Sequence, residues 1–358
     1  MELFKDLTSD DKAQDVAIVT SGVFQDGASS IQAFHTSSTQ IASSGDYSAD
    51  VYRYDPAGNA SASVQFGVAY GHADGSGSLG GTGITGERTS AAVFGQFNNM
   101  INPPQTTRFT FGNNSTAKHF YAITFNRARI RENLEPGGWE LHLGPQGANP
   151  DATQGGVAVI GTPDQMVKLI DDSSNNPGGT TNARNFSPEY NIVSGTLVGG
   201  THVHKQASDE DETMGSYGTF YPSIGTLILN ADRLAGRQPQ LVTFSGSNAN
   251  NENTLQMVNF ITTGSYFQAK RQEQITSTHY FVRATAKKFN STSNETYYTE
   301  SLAGVKRIVA GMRTDPKTYI TTVGLYNKDN EMLAVAKLSQ PILKSTSREA
   351  LIKVKLDF

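Results

Sequence analysis

Apolar and polar residues alternate along most of this chain with a period of two, which is the signature of half-buried β-strands. In SASVQFGVAYG (61–71), Val64, Phe66, Val68 and Tyr70 fall on one face. SADVYRYD (48–55) precedes it across the turn cluster PAGNA (56–60), so the two segments predict a hairpin. KHFYAITFNRARIRENL (118–134) predicts a further strand, and GGWELHLG (137–144) another after the Pro136-Gly137-Gly138 turn. There Trp139, Leu141 and Leu143 share a face, while Glu140 and His142 point the other way. GVAVIG (156–161) and QMVKLIDD (165–172) predict a pair around Thr162 and Pro163. NIVSGTLVG (191–199), TLILN (226–230) and HYFVRATAKKF (279–289) complete the central strands.

The carboxyl end has the clearest pattern. YITTVGLY and EMLAVAKLS flank the turn Asn327-Lys328-Asp329-Asn330, and Pro341 is expected to end the second strand. SREALIKVKLDF then places Ile352, Val354, Leu356 and Phe358 on one face, with Lys353, Lys355 and Asp357 on the other. These three segments predict a meander whose inner face seals a core and whose lysines discourage edge pairing.

Helical periodicity is confined to two places. SAAVFGQFNNMI (90–101) spaces Val93, Phe94, Phe97, Met100 and Ile101 at helical intervals and stops at Asn102-Pro103-Pro104. NTLQMVNFITTG (253–264) carries Leu255, Val258 and Ile261 on one face, with Asn253 as N-cap and Gly264 as stop. The predicted fold is therefore mainly β, with antiparallel sandwich- or meander-type sheets, two or three short helices and a terminal strand. The predicted division is a β-rich domain over 1–145 with one helix, a loop-rich middle segment over 146–215, and a β-rich domain over 216–358. The last of these carries one helix and the three-stranded meander.

Composition narrows the function. The 358 residues are 37% hydrophobic and only 17% charged, so the polar surface is largely neutral. A net charge of -4 speaks against a nucleic-acid partner, which would call for a basic face. With no cysteine in the chain, disulfides, thiolate catalysis and zinc–thiolate sites are excluded. MELFKDLTSDDKAQDV has no apolar core of a secretory signal, and no run approaches a membrane span, so a chain made in the cytoplasm, or one without its original signal, is expected, with no membrane as stable partner.

Candidate chemistry is sparse. GSGSLG (75–80) matches G-x-G-x-x-G, but more glycine follows where a helix should open, and residues 95–105 supply no acid. A glycine-rich loop is the better reading. THVH (201–204) puts His202 and His204 on one face of a strand ahead of DEDE (209–212), the metal-ligand candidates, but the acids fall in a solvated loop and no third histidine is near, so a solvated surface is the better reading. DDSSNN (171–176) lacks calcium-loop spacing and reads as a turn. No catalytic residue and no cofactor is nominated. Tyr217, Phe220 and Tyr221 could form an aromatic platform for a glycan, or pack in a core or interface.

TYITTVGLYNKDNEMLAVAKLSQPILKSTSREALIKVKLDF resembles the closing segment of virion structural proteins of contractile-tailed (myovirus) phages of the cyanophage type. The resemblance extends through VQFGVAYGHADGSGSLGG, FNRARIRENLEPGGWELHL, VKLIDDS, YNIVSG and YGTFYPSIGTLILN, and so covers most of the chain. Residues 145–155 and 173–187 and the segment THVHKQASDEDE depart from it. It implies a component of the virion, of the tail and especially the baseplate, with a neck or capsid-associated place as the alternative. It supplies no catalytic or ligand residues. The partners implied are other virion proteins and copies of this chain, and Tyr217, Phe220, Tyr221, Ile352, Val354, Leu356 and Phe358 are the interface candidates. A receptor- or glycan-binding tail protein is the competing reading. An enzyme such as a depolymerase would need convergent carboxylates, and none is nominated.

Overall fold

The computed structural model describes residues 4–37, 48–75, 90–103, 106–112, 115–144, 153–154, 157–158, 166–181, 187–204, 216–237, 250–300 and 304–357. Its principal strands, in chain order, are β1 (Lys12–Gly22), β2 (Ser30–Ile31), β3 (His35–Thr36), β4 (Ala49–Tyr52), β5 (Val64–His72) and β6 (His119–Phe125). They continue as β7 (Glu140–Leu143), β8 (Val167–Asp171), β9 (Pro188–Val198), β10 (Thr201–His204), β11 (Gly218–Tyr221) and β12 (Thr226–Asn230). The last five are β13 (Phe267–Gln268), β14 (Lys270–Ala284), β15 (Lys317–Tyr326), β16 (Met332–Ser345) and β17 (Ala350–Asp357). The longer helices are α1 (Ser90–Ile101), α2 (Ala231–Arg237) and α3 (Asn250–Gly264). The protein is mainly β, with large antiparallel sheets, few short helices and a strand at the carboxyl end.

Two compact units divide the chain: Val19–Glu273, and Met1–Ile18 with Gln274–Phe358. These limits differ from the expected breaks at 145/146 and 215/216. The reason is pairing across those breaks: β6 pairs with β12, β7 with β8 and β13, and β2 with β13, so one sheet draws on all three expected segments.

In the larger unit a 13-stranded sheet runs β2-β13-β7-β8-β9-β11-β12-β6-β5-β4-β3, with two short strands beside β9. Its first and last strands are separated by only a few residues of chain, and the sheet curls so that its inner face meets itself. Phe66 of β5 and Phe267 of β13, distant in strand order, have ring centroids 5.3 Å apart, and Phe125 lies 5.4 Å from Phe267. Helix α3 contributes Met257, Phe260 and Ile261 to this same inner core. The outer face carries a second cluster, where α1 sets Val93, Phe94 and Ile101 against Ala69, Phe120, Ala122 and Ile228. Because β6 is covered on both faces, Phe120 and Ala122 are as buried as Tyr121 and Ile123, which explains why its sequence is apolar almost throughout.

Several expectations are met and several corrected. β4 and β5 form the expected hairpin. The strand expected over 118–134 stops at Phe125, where the Asn126 side chain accepts from the Ala128 N–H and starts a helical turn over Arg127–Ile130. Arg131 then takes a positive φ of 55°. Val157–Ala158 pairs with Thr153–Gln154, and β8 pairs with β7 and β9, so 156–161 and 165–172 are not partners where both are described. In α1 Met100 is exposed and Asn98 buried, its amide donating to the Thr106 carbonyl at 2.7 Å. Helix α3 begins at Asn250, so Asn253 is a buried interior residue and not the cap.

Gly264 shows how closely α3 approaches the sheet: a Cβ there would lie 2.0 Å from the His142 carbonyl oxygen. Gly264→Ala is expected to push α3 off β7 at a cost of about 1–3 kcal/mol, the usual scale of overpacking. Urea unfolding followed by the fluorescence of Trp139, the single tryptophan, checks this.

In the smaller unit β1, β14 and β17 form a sheet in that order. β14 and β17 pair from Ser277↔Asp357 to Ala284↔Ala350. Ile352 is buried and Val354 and Leu356 half-buried, while Leu351, Lys353 and Lys355 are exposed, so the predicted facing holds. The expected three-stranded meander does not form: among the described residues β15 and β16 make a two-stranded ribbon, and β17 crosses to β14. β16 also continues through Pro341 to Ser345. The register slips between Ile320↔Ile342 and Thr322↔Lys337, so Pro341 falls in a bulge, where a missing N–H is tolerated.

Candidate functional site

The most unusual surface in the smaller unit is the β15–β16 ribbon. Along its upper arm Val323, Leu325, Ala334 and Ala336 are half-buried on one face. The opposite face presents Tyr326, Met332 and Val335 to solvent, with Val335 61% exposed, and Leu333 beside them 63%. Tyr326 packs edge-on against Phe4 at 5.2 Å, although both rings remain largely exposed. Val16 and Ile18 of β1 are exposed as well, in a strand whose first nine residues all face solvent. A two-stranded ribbon is marginal in water unless its apolar face is covered.

The base of the ribbon is, by contrast, firmly anchored. Lys344 is fully buried, and its ammonium donates to Asn290 Oδ1 at 2.6 Å, the Ala286 carbonyl at 3.2 Å and the Ser345 carbonyl at 3.4 Å. Burial depresses its pKa, which the more distant Glu349 only partly opposes.

The sequence-nominated residues distribute differently from expectation. Tyr217, Phe220 and Tyr221 are all buried in the larger unit, so as interface candidates or as a glycan platform they offer no surface. Phe220 packs between Trp139 at 5.5 Å and Tyr190 at 6.3 Å, and Arg233 stacks on Tyr217 at 4.9 Å. Ile352 lies inside its own sheet, Val354 and Leu356 are half-buried, and Phe358 is outside the described residues.

His202 sits on the β9–β10 hairpin, whose turn uses positive φ at Gly199 and Gly200, as a two-residue hairpin turn requires. The hairpin lies against the turn before β7: a Cβ on Gly137 would come within 2.9 Å of His202 Nε2. Nearby, the buried Asp171 accepts from the Gly137 N–H at 2.8 Å and the Ser173 N–H at 3.0 Å. Burial raises the Asp171 pKa, and these hydrogen bonds and the neighbouring His202 counter only part of that rise. His202 thus faces a structural carboxylate, while the side chain of His204 and the acids of DEDE lie outside the described residues. Among the described residues no group of three or more His, Asp or Glu is placed to hold a metal ion. In DDSSNN, Asp171 and Asp172 turn inward, Asp172 accepting from the Asn191 backbone and side chain, as a turn requires. GSGSLG is outside the described residues from position 76 on.

Two polar clusters escaped the sequence reading. On β7, Glu140 Oε1 lies 2.5 Å from His142 Nε2, and its other oxygen accepts from the Leu197 N–H at 2.7 Å. Burial works to raise Glu140, but these bonds outweigh it and hold the carboxyl below its ordinary value. At the end of β5 and β6, His72 and His119 are direct cross-strand partners, and His119 bridges Tyr70 and Asp232. The alternation Phe66-Val68-Tyr70 continues to His72, and Phe125-Ile123-Tyr121 to His119, so carrying it two residues further would have found the second cluster.

No family model, no curated protein and no solved structure matches the chain. Among the described residues no helix is long and apolar enough to cross a membrane.

Proposed function

We propose that the chain is a structural component of a tailed-phage virion, most naturally of the tail or baseplate. It acts by contact with other virion proteins and copies of itself, without catalysis. The observation that carries this reading is the exposed apolar face of the β15–β16 ribbon, Tyr326, Met332, Leu333 and Val335, on a ribbon anchored at its base by buried Lys344. An apolar patch held out on a well-anchored element is what subunit contacts cover. The resemblance of the carboxyl segment to phage virion proteins points the same way. The glycan-binding alternative loses support because its aromatic platform is buried.

The test is to purify particles that carry this chain and trace its density by cryo-electron microscopy. The ribbon face is expected against neighbouring subunits. Absence of the chain from purified particles would sink the proposal. In parallel, Met332→Ser with Val335→Ser is expected to leave the monomer folded but lower incorporation into particles by about tenfold or more, the effect of losing one interface hot spot.

A further inference from the structure

We propose that the folded chain cross-links itself: the Lys344 amine condenses with the Asn290 carboxamide, releasing ammonia and leaving an isopeptide bond at the base of the β15–β16 ribbon. The two groups already touch. Lys344 is fully buried, and its Nζ lies 2.6 Å from Asn290 Oδ1. The carboxamide is oriented by its own Nδ2, which donates at 2.7 Å to the Ala286 carbonyl, the same oxygen that accepts from Nζ at 3.2 Å. The backbone that carries Asn290 is pinned as well. The buried Tyr297 donates its hydroxyl to the Asn290 carbonyl at 3.1 Å, and the buried Thr318 donates to the Phe289 carbonyl at 3.0 Å. An amine and a carboxamide held in this way are already brought together by folding, which removes much of the entropic barrier to their reaction.

The three oxygens that hold Lys344, from Asn290, Ala286 and Ser345, are all neutral. A buried ammonium with such partners is poorly compensated, which favours the neutral amine, and a desolvated lysine amine is a nucleophile. Glu349 opposes this from further off, its carboxylate held by Arg283 and the Ala286 N–H. In the reaction the Nζ lone pair attacks Asn290 Cγ and an Nζ–Cγ bond forms. The Cγ–Nδ2 bond then breaks, and the proton shed by Nζ goes to Nδ2, which leaves as ammonia. Nothing is oxidised or reduced, and no further reactant is consumed. The event happens once in each chain and is not a turnover. Until it happens, Lys344 titrates as a buried amine. Afterwards its nitrogen is an amide that keeps one N–H for the Ala286 carbonyl. The bond joins positions 54 residues apart and encloses β15 and most of β16, so the ribbon is clasped covalently at its base.

Intact-mass spectrometry of the purified full chain tests the cross-link. The folded protein is incubated at about pH 9, where more of a lysine is neutral than at neutrality. The wild type is expected to become lighter by one ammonia, and its digest to contain a branched peptide joining Lys344 to Asn290. Lys344→Arg, which keeps donors for the same oxygens but no nucleophilic amine, is expected to show neither. Closure of Asn290 onto its own backbone also releases ammonia. A mass loss without the branched peptide, or the same loss in Lys344→Arg, is that side reaction and overturns the proposal, as does an unchanged mass in the wild type. If Lys344→Arg does not fold, the wild-type digest decides: the branched peptide supports the bond, and its absence ends it.

Discussion

Replacing Phe220 by alanine will cost the larger unit about 3–5 kcal/mol, the range for deleting a fully buried phenylalanine. Phe220 is 0% exposed, sits on β11 between two other strands of the curled sheet, and touches the rings of both Trp139 and Tyr190. Neighbouring aromatics locked into the sheet cannot collapse into the space left behind, so the cavity persists and the transfer loss is compounded. Against a typical total stability of roughly 5–15 kcal/mol, this is a large fraction. Urea unfolding followed by Trp139 fluorescence should show a lower midpoint with an unchanged slope. A cost under about 1 kcal/mol would show that Phe220 is not the packed centre described above.

Lys344→Ala should be nearly as damaging, for a different reason. The ammonium is the shared donor for Asn290 Oδ1 and the Ala286 carbonyl, which tie the segment after β14 to the ribbon base. Removing it leaves two half-buried acceptors without that donor, at about 1–3 kcal/mol each, and forfeits the packing of the four-carbon stem. Lys344→Met restores the stem but not the donors, so it should fall between the wild type and alanine. Hydrogen exchange of the β15 and β16 amides reads this out. Since burial lowers the lysine pKa, the wild-type smaller unit should gain stability as pH rises from that lowered value toward about 10.4, a gain that Lys344→Met lacks. Equal protection of the ribbon in wild type and Lys344→Ala would remove the anchor from the account.

Local pattern carried the elements further than it carried their partners. The β4–β5 hairpin, helix α1 and the facing of Ile352, Lys353 and Lys355 follow from period and turn chemistry acting over a few residues. The β17 strand itself was legible, but its partner β14 lies some seventy residues away, and sequence proximity favoured β16 instead. The same limit explains why the two units were not foreseen. Tyr217, Phe220 and Tyr221 look the same in sequence whether they face a core or a partner, and only burial separates the two. His202 was noticed for its neighbour His204, yet its environment is set by Asp171 and Gly137, reached through a hairpin that the one-dimensional pattern does not place. Lys344 was invisible because the strand was expected to end at Pro341, and a lysine beyond that end reads as solvated.

The division of the chain has a consequence in time. The smaller unit needs residues 1–18 together with 274–358, whereas the larger unit is complete at Glu273. During synthesis at roughly 5–20 residues per second, the larger unit therefore emerges several seconds before β15, β16 and β17 exist. The apolar ribbon is made after the residues of the larger unit. The ribbon's apolar face is thus not yet present while the main sheet, with its many long-range pairings, is still closing. The exposed face of the ribbon therefore appears only after the larger unit has had time to fold, so the order of the sequence acts as a timer.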